Sequence, residues 1–425
     1  MAVVAAVVIA CLAVAVFWSG GVGQTAAAQS SVTRDSITIE IVETAPAGLD
    51  NPNIRNTPDV WLELVENAHQ TIDMEIYTIY KYSGGPIGNF HNAIYNAAAR
   101  GVRVRMLIDN VIYNARDEDN HQHTKELMDA FDAENNIDVR QLSQPMHSKV
   151  IIVDNEAAYV GSANQSRTAM ESNREIGLLI RGSSVVNALE VIFEAGWTGE
   201  ENRPGAENWK TEWTYPVATP IEAPSWVPTT AETVIGLINS AKTTVHAFVY
   251  LYSGSPSALE TAIENAAARG VNVQIIADNW TQIEWSSLEP LLSLTDYQNI
   301  QAKLEAPGEW SAAHAKMVVV DSRRAYIGSA NWTNIAMSER REIGMYLEDP
   351  ALAATLEEIF RTDWESRYAY WVKEPAGFPF LLAAGIVAVV VVLVVLIFWG
   401  RRGAKKKSQK RMFRAELWAS GRHEV

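Results

Sequence analysis

The chain reads as an α/β protein made of two similar lobes, and three observations point that way. The same polar signature occurs twice, 167 positions apart: His147-x-Lys149, Asp154, Gly161-Ser162-x-Asn164, and then His314-x-Lys316, Asp321, Gly328-Ser329-x-Asn331. The flanking sequence is duplicated with it, so that Asn96-Ala-Ala-Ala-Arg-Gly101 recurs as Asn265-Ala-Ala-Ala-Arg-Gly270. Within each copy, helix signals alternate with short apolar runs, the pattern of helices covering a parallel or mixed sheet. A repeat of this length is a domain-sized lobe rather than a turn of a solenoid.

The elements follow in order. Each lobe opens on a helix start, Thr57-Pro58-Asp59 in the first and Thr230-Ala-Glu232 in the second, where a hydroxyl can cap and proline fits the first turn. A buried strand comes next, then a helix that stops at Arg-Gly, with glycine available for the left-handed cap. Another strand ends at Asp109-Asn110 or Asp278-Asn279. Those aspartates are expected to form turns.

The signature itself spans a hairpin. Val150-Ile-Ile-Val153 and Met317-Val-Val-Val320 are unbroken apolar runs, which suits a strand buried on both faces. Alternation along such a strand puts His147 and Lys149, or His314 and Lys316, on one face. The partner strand leads into Gly-Ser-x-Asn, where small residues allow a close backbone approach. Twenty-eight residues beyond each histidine stands a glutamate, Glu175 in Asn-Arg-Glu-Ile-Gly and Glu342 in Arg-Arg-Glu-Ile-Gly.

These groups suit attack on a phosphodiester. One imidazole can be the nucleophile while a second protonates the leaving oxygen. Lysine ammonium groups, hydroxyls and amides can stabilise the phosphate oxygens as charge develops. A carboxylate on the far ring nitrogen would fix the histidine tautomer, a role open to Glu175 and Glu342.

The duplicated signature resembles that of the phospholipase D superfamily, over roughly residues 55 to 368. The resemblance implies two lobes packed face to face around one active site that needs no metal or other cofactor. It implies His147 as nucleophile and His314 as general acid and then base. Lys149, Lys316, Asn164 and Asn331 would hold phosphate, with Ser162 and Ser329 as weaker candidates. Asp154 and Asp321 complete the motifs, bracing their loops rather than touching substrate.

Between the lobes, residues 201–229 form a linker rich in proline, with Trp209, Trp213 and Trp226 to pack it against the body. Asp117-Glu-Asp-Asn-His121-Gln-His123 could be taken for a metal site, but without a strict ligand spacing it reads as a solvated loop. Trp280, Trp310 and Trp332 lie near the second motif and are candidates for a substrate groove.

The ends place the protein. Residues 1–28 read as a signal peptide or an N-terminal membrane segment, Phe378 to Gly400 is an uncharged run long enough to span a bilayer, and residues 401–425 hold nine Lys or Arg against two Glu. The positive-inside rule puts that tail in the cytoplasm and lobes 29–200 and 230–370 outside. Cys11 is the only cysteine, so the lobes use no disulfides and depend on core size. With both apolar segments uncharged, residues 29–377 carry a formal −22, which weakens non-specific binding of polyanions. The expectation is a single-pass, outward-facing monomer that cleaves or exchanges phospholipid headgroups at the cell membrane. The alternative is a metal-independent surface nuclease acting on single strands.

Overall fold

The computed structural model describes residues 28–109, 118–142, 145–199, 214–218, 227–253, 257–282, 288–308 and 311–374. The expected leader, the apolar run 378–400, the basic tail, Trp310 and most of the linker lie outside them. Among the described residues no helix is long and apolar enough to cross a membrane.

The first lobe contains β1 (Ser31–Arg34), β2 (Ile37–Thr44), β3 (Arg55–Asn56), α1 (Thr57–Glu66), β4 (Thr71–Ile76), α2 (Gly85–Ala99) and β5 (Arg103–Asp109). It continues with α3 (Glu118–Asp132), β6 (Ile137–Leu142), β7 (Lys149–Val153), β8 (Ala157–Gly161), α4 (Arg167–Glu171), β9 (Glu175–Arg181) and α5 (Ser183–Thr198). Then come β10 (Thr214–Ala218), α6 (Thr230–Ser240), β11 (Thr244–Val249), β12 (Tyr252–Ser253), α7 (Ser257–Ala268), β13 (Asn272–Asp278), α8 (Glu289–Leu294) and β14 (Ile300–Glu305). The chain ends through β15 (Met317–Val320), β16 (Arg324–Gly328), β17 (Trp332–Thr333), α9 (Asn334–Ser338), β18 (Ile343–Glu348), α10 (Pro350–Trp364) and β19 (Ala369–Trp371).

The two large sheets share a common strand order and differ at their edges. The first runs β1-β2-β9-β8-β7-β4-β5-β6 with β3 beside β2, and the second β10-β18-β16-β15-β11-β13-β14-β19. In each, three parallel strands (β4, β5, β6 or β11, β13, β14) adjoin an antiparallel group that carries the motif hairpin. The Arg-Gly stops work as expected: Gly101 and Gly270 adopt φ of +95° and +86°, which a side chain would resist. Thr229 caps α6 in a capping box with Glu232, whereas Asn56 precedes α1 without a side-chain cap.

Three features differ from expectation. Residues 118–132 form a helix, not a loop. Part of the linker is a strand, β10, which pairs antiparallel with β18. It is an edge position, where Pro216 loses no ladder bond on its open side. Trp332 is core, 2% exposed and 6.1 Å from Tyr252, while Trp280 remains 41% exposed.

Three apolar clusters hold the body together. One lies between the first sheet and α1 to α3, around Trp61, Phe90 and Phe131. Its counterpart in the second lobe gathers Leu237, Ile263 and Trp332. The third is shared: Val150, Ile176, Leu178 and Phe193 of the first lobe pack in one cluster with Met317, Ile343, Met345 and Phe360 of the second. The lobes meet through core, not through a wet interface.

Candidate active site

The motif strands bring their chemistry to one end of each sheet. His147 and Lys149 stand at the start of β7, and His314 and Lys316 just before β15. All four are buried, none more than 6% exposed. The chain entering each histidine is held twice. Asp109, at the end of β5, accepts the Met146 backbone N–H at 2.5 Å, and Asp278, at the end of β13, accepts that of Ala313 at 2.6 Å. These aspartates are more than turn formers: they fix the peptide next to each imidazole. The second hold comes from the opposite lobe. His147 N–H donates to the Arg341 carbonyl at 2.8 Å, and His314 N–H to the Arg174 carbonyl at 2.9 Å.

The glutamates cross over. His147 Nδ1 lies 3.1 Å from Glu342 Oε2, and His314 Nδ1 lies 2.9 Å from Glu175 Oε2. Each imidazole is thus oriented by the other lobe, and each half-site is incomplete without its neighbour. A carboxylate on Nδ1 holds the proton there and leaves Nε2 as the atom that can face a phosphorus.

The serines serve the glutamates. Ser162 Oγ donates to Glu175 at 2.6 Å and Ser329 Oγ to Glu342 at 2.5 Å, and both serines are fully buried. Their hydroxyl protons are committed to these carboxylates. The glycines beside them answer to Tyr159 and Tyr326 rather than to a ligand. A Cβ on Gly161 would lie 2.7 Å from the Gly177 Cα and against the Tyr159 ring, and Gly328 meets Gly344 and Tyr326 in the same way. Both glycines of each pair leave room for a buried tyrosine to lie across the two strands.

The motif aspartates lie elsewhere. Asp154 sits at the far end of β7, about 16 Å of strand from Lys149. It occupies a turn with φ of +53° and accepts backbone N–H groups of His69, Gln70 and Thr71 at 2.6 to 2.8 Å. Asp321 does the same for Lys242, Thr243 and Thr244. These bonds tie each hairpin to the start of the neighbouring strand.

Asn164 and Asn331 remain in place for phosphate. Neither Oδ1 has a hydrogen-bond partner. Asn164, Lys149 and Tyr77 line one small cavity. Lys149 and Lys316 donate to the carbonyls of His147 and His314, the latter at 2.6 Å.

Two tyrosines escaped sequence reasoning. Tyr77 meets His147 edge-on at 4.4 Å with Lys149 Nζ 4.8 Å over its ring, and Tyr250 meets His314 at 4.5 Å with Lys316 Nζ at 4.9 Å. The aligned aromatics after β4 and β11 were the available signal. Two arginines inside the glutamate motifs were also missed. Arg174 reaches Asp363 of α10 at 2.6 Å and Glu43 at 2.6 Å, and Arg341 reaches Glu75 of β4 at 2.7 Å and the Ile192 carbonyl at 2.7 Å. They are buried ion pairs across the lobe boundary.

The electrostatics of the halves differ. Burial, with Lys149, Lys316 and Arg340 nearby, pushes His147 well below the usual histidine range. Burial lowers His314 to about 4, though Glu175 opposes the shift. Burial works to raise Glu175, but His314, Lys316 and Asn173 outweigh it and keep it below the ordinary carboxylate range. Burial pushes Glu342 up to about 7, against the pull of Lys149, Ser329 and Arg340. Burial also lowers Lys149 strongly and Lys316 to about 7.

Residues 61–197 and 234–364 match the family described as cardiolipin synthase, PLD-like domain, more than half of the chain, and the protein belongs to this phospholipase D-like family. It is similar to phospholipase D Z of Dictyostelium discoideum, 24% identical over 78% of this chain and 90% of the relative. The virion nicking-joining enzyme of vaccinia virus (strain Western Reserve) is 27% identical over 79% and 90%, and the 5'-3' exonuclease PLD3 of Bos taurus 23% over 78% and 80%. Among solved structures, phosphatidylserine synthase of Haemophilus influenzae shares the fold with a TM-score of 0.54, at 14% identity over 79% of this chain and 92% of that one. The chain is accordingly an enzyme of the phosphodiesterase type.

Proposed function

We propose that the protein cleaves or exchanges phosphodiesters through a phosphohistidine, with His147 as nucleophile and His314 as general acid and base. The cross-lobe pairing of each imidazole with the other lobe's glutamate carries this reading. His147 Nε2 attacks phosphorus, the P–O bond to the leaving group breaks, and His314 supplies the leaving oxygen with a proton. Water or an alcohol then loses its proton to His314 and attacks phosphorus, and the P–N bond breaks. The unequal fields support the division of roles. Burial, with Lys149, Lys316 and Arg340 beside it, keeps His147 neutral and nucleophilic, while the ionised Glu175 favours an imidazolium at His314, the more so once an anionic phosphate is bound. Lys149, Lys316, Asn164 and Asn331 would hold the phosphate oxygens.

We infer further that the enzyme is tethered to a membrane with its lobes outside, which the apolar run 378–400 and the basic tail support. A tether favours phospholipid headgroups as substrate, as do the relatives named phospholipase D. A strand of nucleic acid is the second reading, favoured by an additional cation beside His147, Arg340, and by relatives named as nucleases. Full-length protein assayed in EDTA on phospholipid vesicles and on a labelled single-stranded oligonucleotide separates the two. Cleavage of at least one, abolished by His147→Ala, is expected; turnover that survives this substitution contradicts the reaction.

A further inference from the structure

The half-sites differ at several positions, among them the one two residues before each glutamate. In the first lobe it is Asn173, which is buried and points inward, donating to Glu175 at 2.9 Å and accepting the Ala312 N–H at 3.0 Å. In the second lobe it is Arg340, half-buried on the turn between α9 and β18, its backbone N–H on the Ile335 carbonyl at 3.0 Å. Its guanidinium lies 5.9 Å from the centre of the Tyr77 ring. The same ring has its edge on His147. The neighbouring Arg341 carbonyl accepts the His147 N–H, so the backbone that carries Arg340 is registered to the nucleophile.

We infer that Arg340 is a specificity residue that holds a second phosphate of the substrate, on the half that stays bonded to His147 during the reaction. Displacement in line puts the leaving group at His314, on the side of phosphorus away from the nucleophile. The retained half leaves phosphorus to the side of that axis, and a cation beside Tyr77 and His147 rather than at His314 is placed to meet it. Guanidinium suits a phosphate partner, and the Tyr77 ring beside it offers a face to a base or sugar. The retained half of a glycerophospholipid ends in acyl chains, with no second phosphate. That of a nucleic-acid strand carries one at each internucleotide step. The position of Arg340 favours the strand, the second reading of the proposed function, engaged through few phosphates, as befits a body with a formal −22.

The inference rests on the proposed reaction and is tested so that the two can fail apart. Full-length protein in EDTA is given thymidine dinucleotide, plain or with an extra phosphate at its 5' or 3' end, and phosphatidylcholine vesicles. Product identity shows which half keeps the phosphoryl group. The dinucleotide with its extra phosphate on that half is expected to be preferred by about tenfold or more in kcat/KM over the plain one. Arg340→Gln should bring that ratio close to one, and Arg340→Lys should restore part of it. Preference for the other end, a ratio indifferent to Arg340→Gln, or an equal loss on every substrate overturns the inference. Vesicle turnover without dinucleotide turnover overturns it too and leaves the reaction standing. Failure of every substrate removes both.

Discussion

His147 and His314 carry the same motif yet stand in different fields, and the difference comes from single residues. Asn173 and Ser162 secure Glu175 as a carboxylate, while Glu342 takes the Ser329 hydroxyl and has Arg340 where Glu175 has Asn173. The lysines give the site its pH dependence. Desolvation brings Lys316 down to about 7, so it is charged below that pH and neutral above. Phosphate binding by the free enzyme needs the charge, and kcat/KM should fall as pH rises through about 7, most simply read with a substrate whose own charge does not change there. A profile flat up to pH 9 would show that Lys316 keeps its proton and that the buried site is wetter than its geometry indicates.

At the level of elements, the motif hairpin is held by Asp109 where the chain enters it and by Asp154 at its turn. Asp154→Ala should remove three backbone bonds and cost about 2 to 3 kcal/mol of stability, measured by urea unfolding, with kcat of the folded fraction little changed. A large fall in kcat at unaltered stability would place Asp154 in the chemistry after all. Its counterpart Asp321 is opposed by partial burial but held below the ordinary carboxylate range by the backbone of Thr243, Thr244 and Lys242. It contributes stability above that range and loses it as the pH falls toward its lowered pKa.

Much of this was legible in the sequence. Spacing alone put His147 with Lys149 and called for a hairpin between Lys149 and Gly161, because strand periodicity is local. What crosses between lobes was not legible. No spacing says that Glu175 serves His314 rather than His147, since a contact 139 residues away in sequence has no periodic signature. The serines misled for the same reason: their partners are the glutamates one strand away. β10 escaped because prolines mark breaks, and only an edge position makes one tolerable in a strand.

At the scale of the molecule, duplication has made two lobes that cannot act apart. Their shared cluster is core, and buried ion pairs cross it. Asp363→Ala leaves Arg174 buried with Glu43 as its remaining carboxylate partner at hydrogen-bond distance, and should destabilise the protein by about 3 to 5 kcal/mol. Thermal unfolding followed by calorimetry is expected to remain one transition for the two lobes. Two separated transitions would mean that the lobes fold as independent units. The same union makes the reaction asymmetric, with one histidine bonded to phosphorus while the other moves the proton. Rapid quenching of the His314→Asn variant in EDTA, with a phosphodiester bearing a good leaving group, tests this most directly. The account predicts a phosphoryl adduct, stable at neutral to alkaline pH, mapped by peptide mass spectrometry to His147. An adduct on another residue, or turnover with no covalent species at any time point, would contradict it.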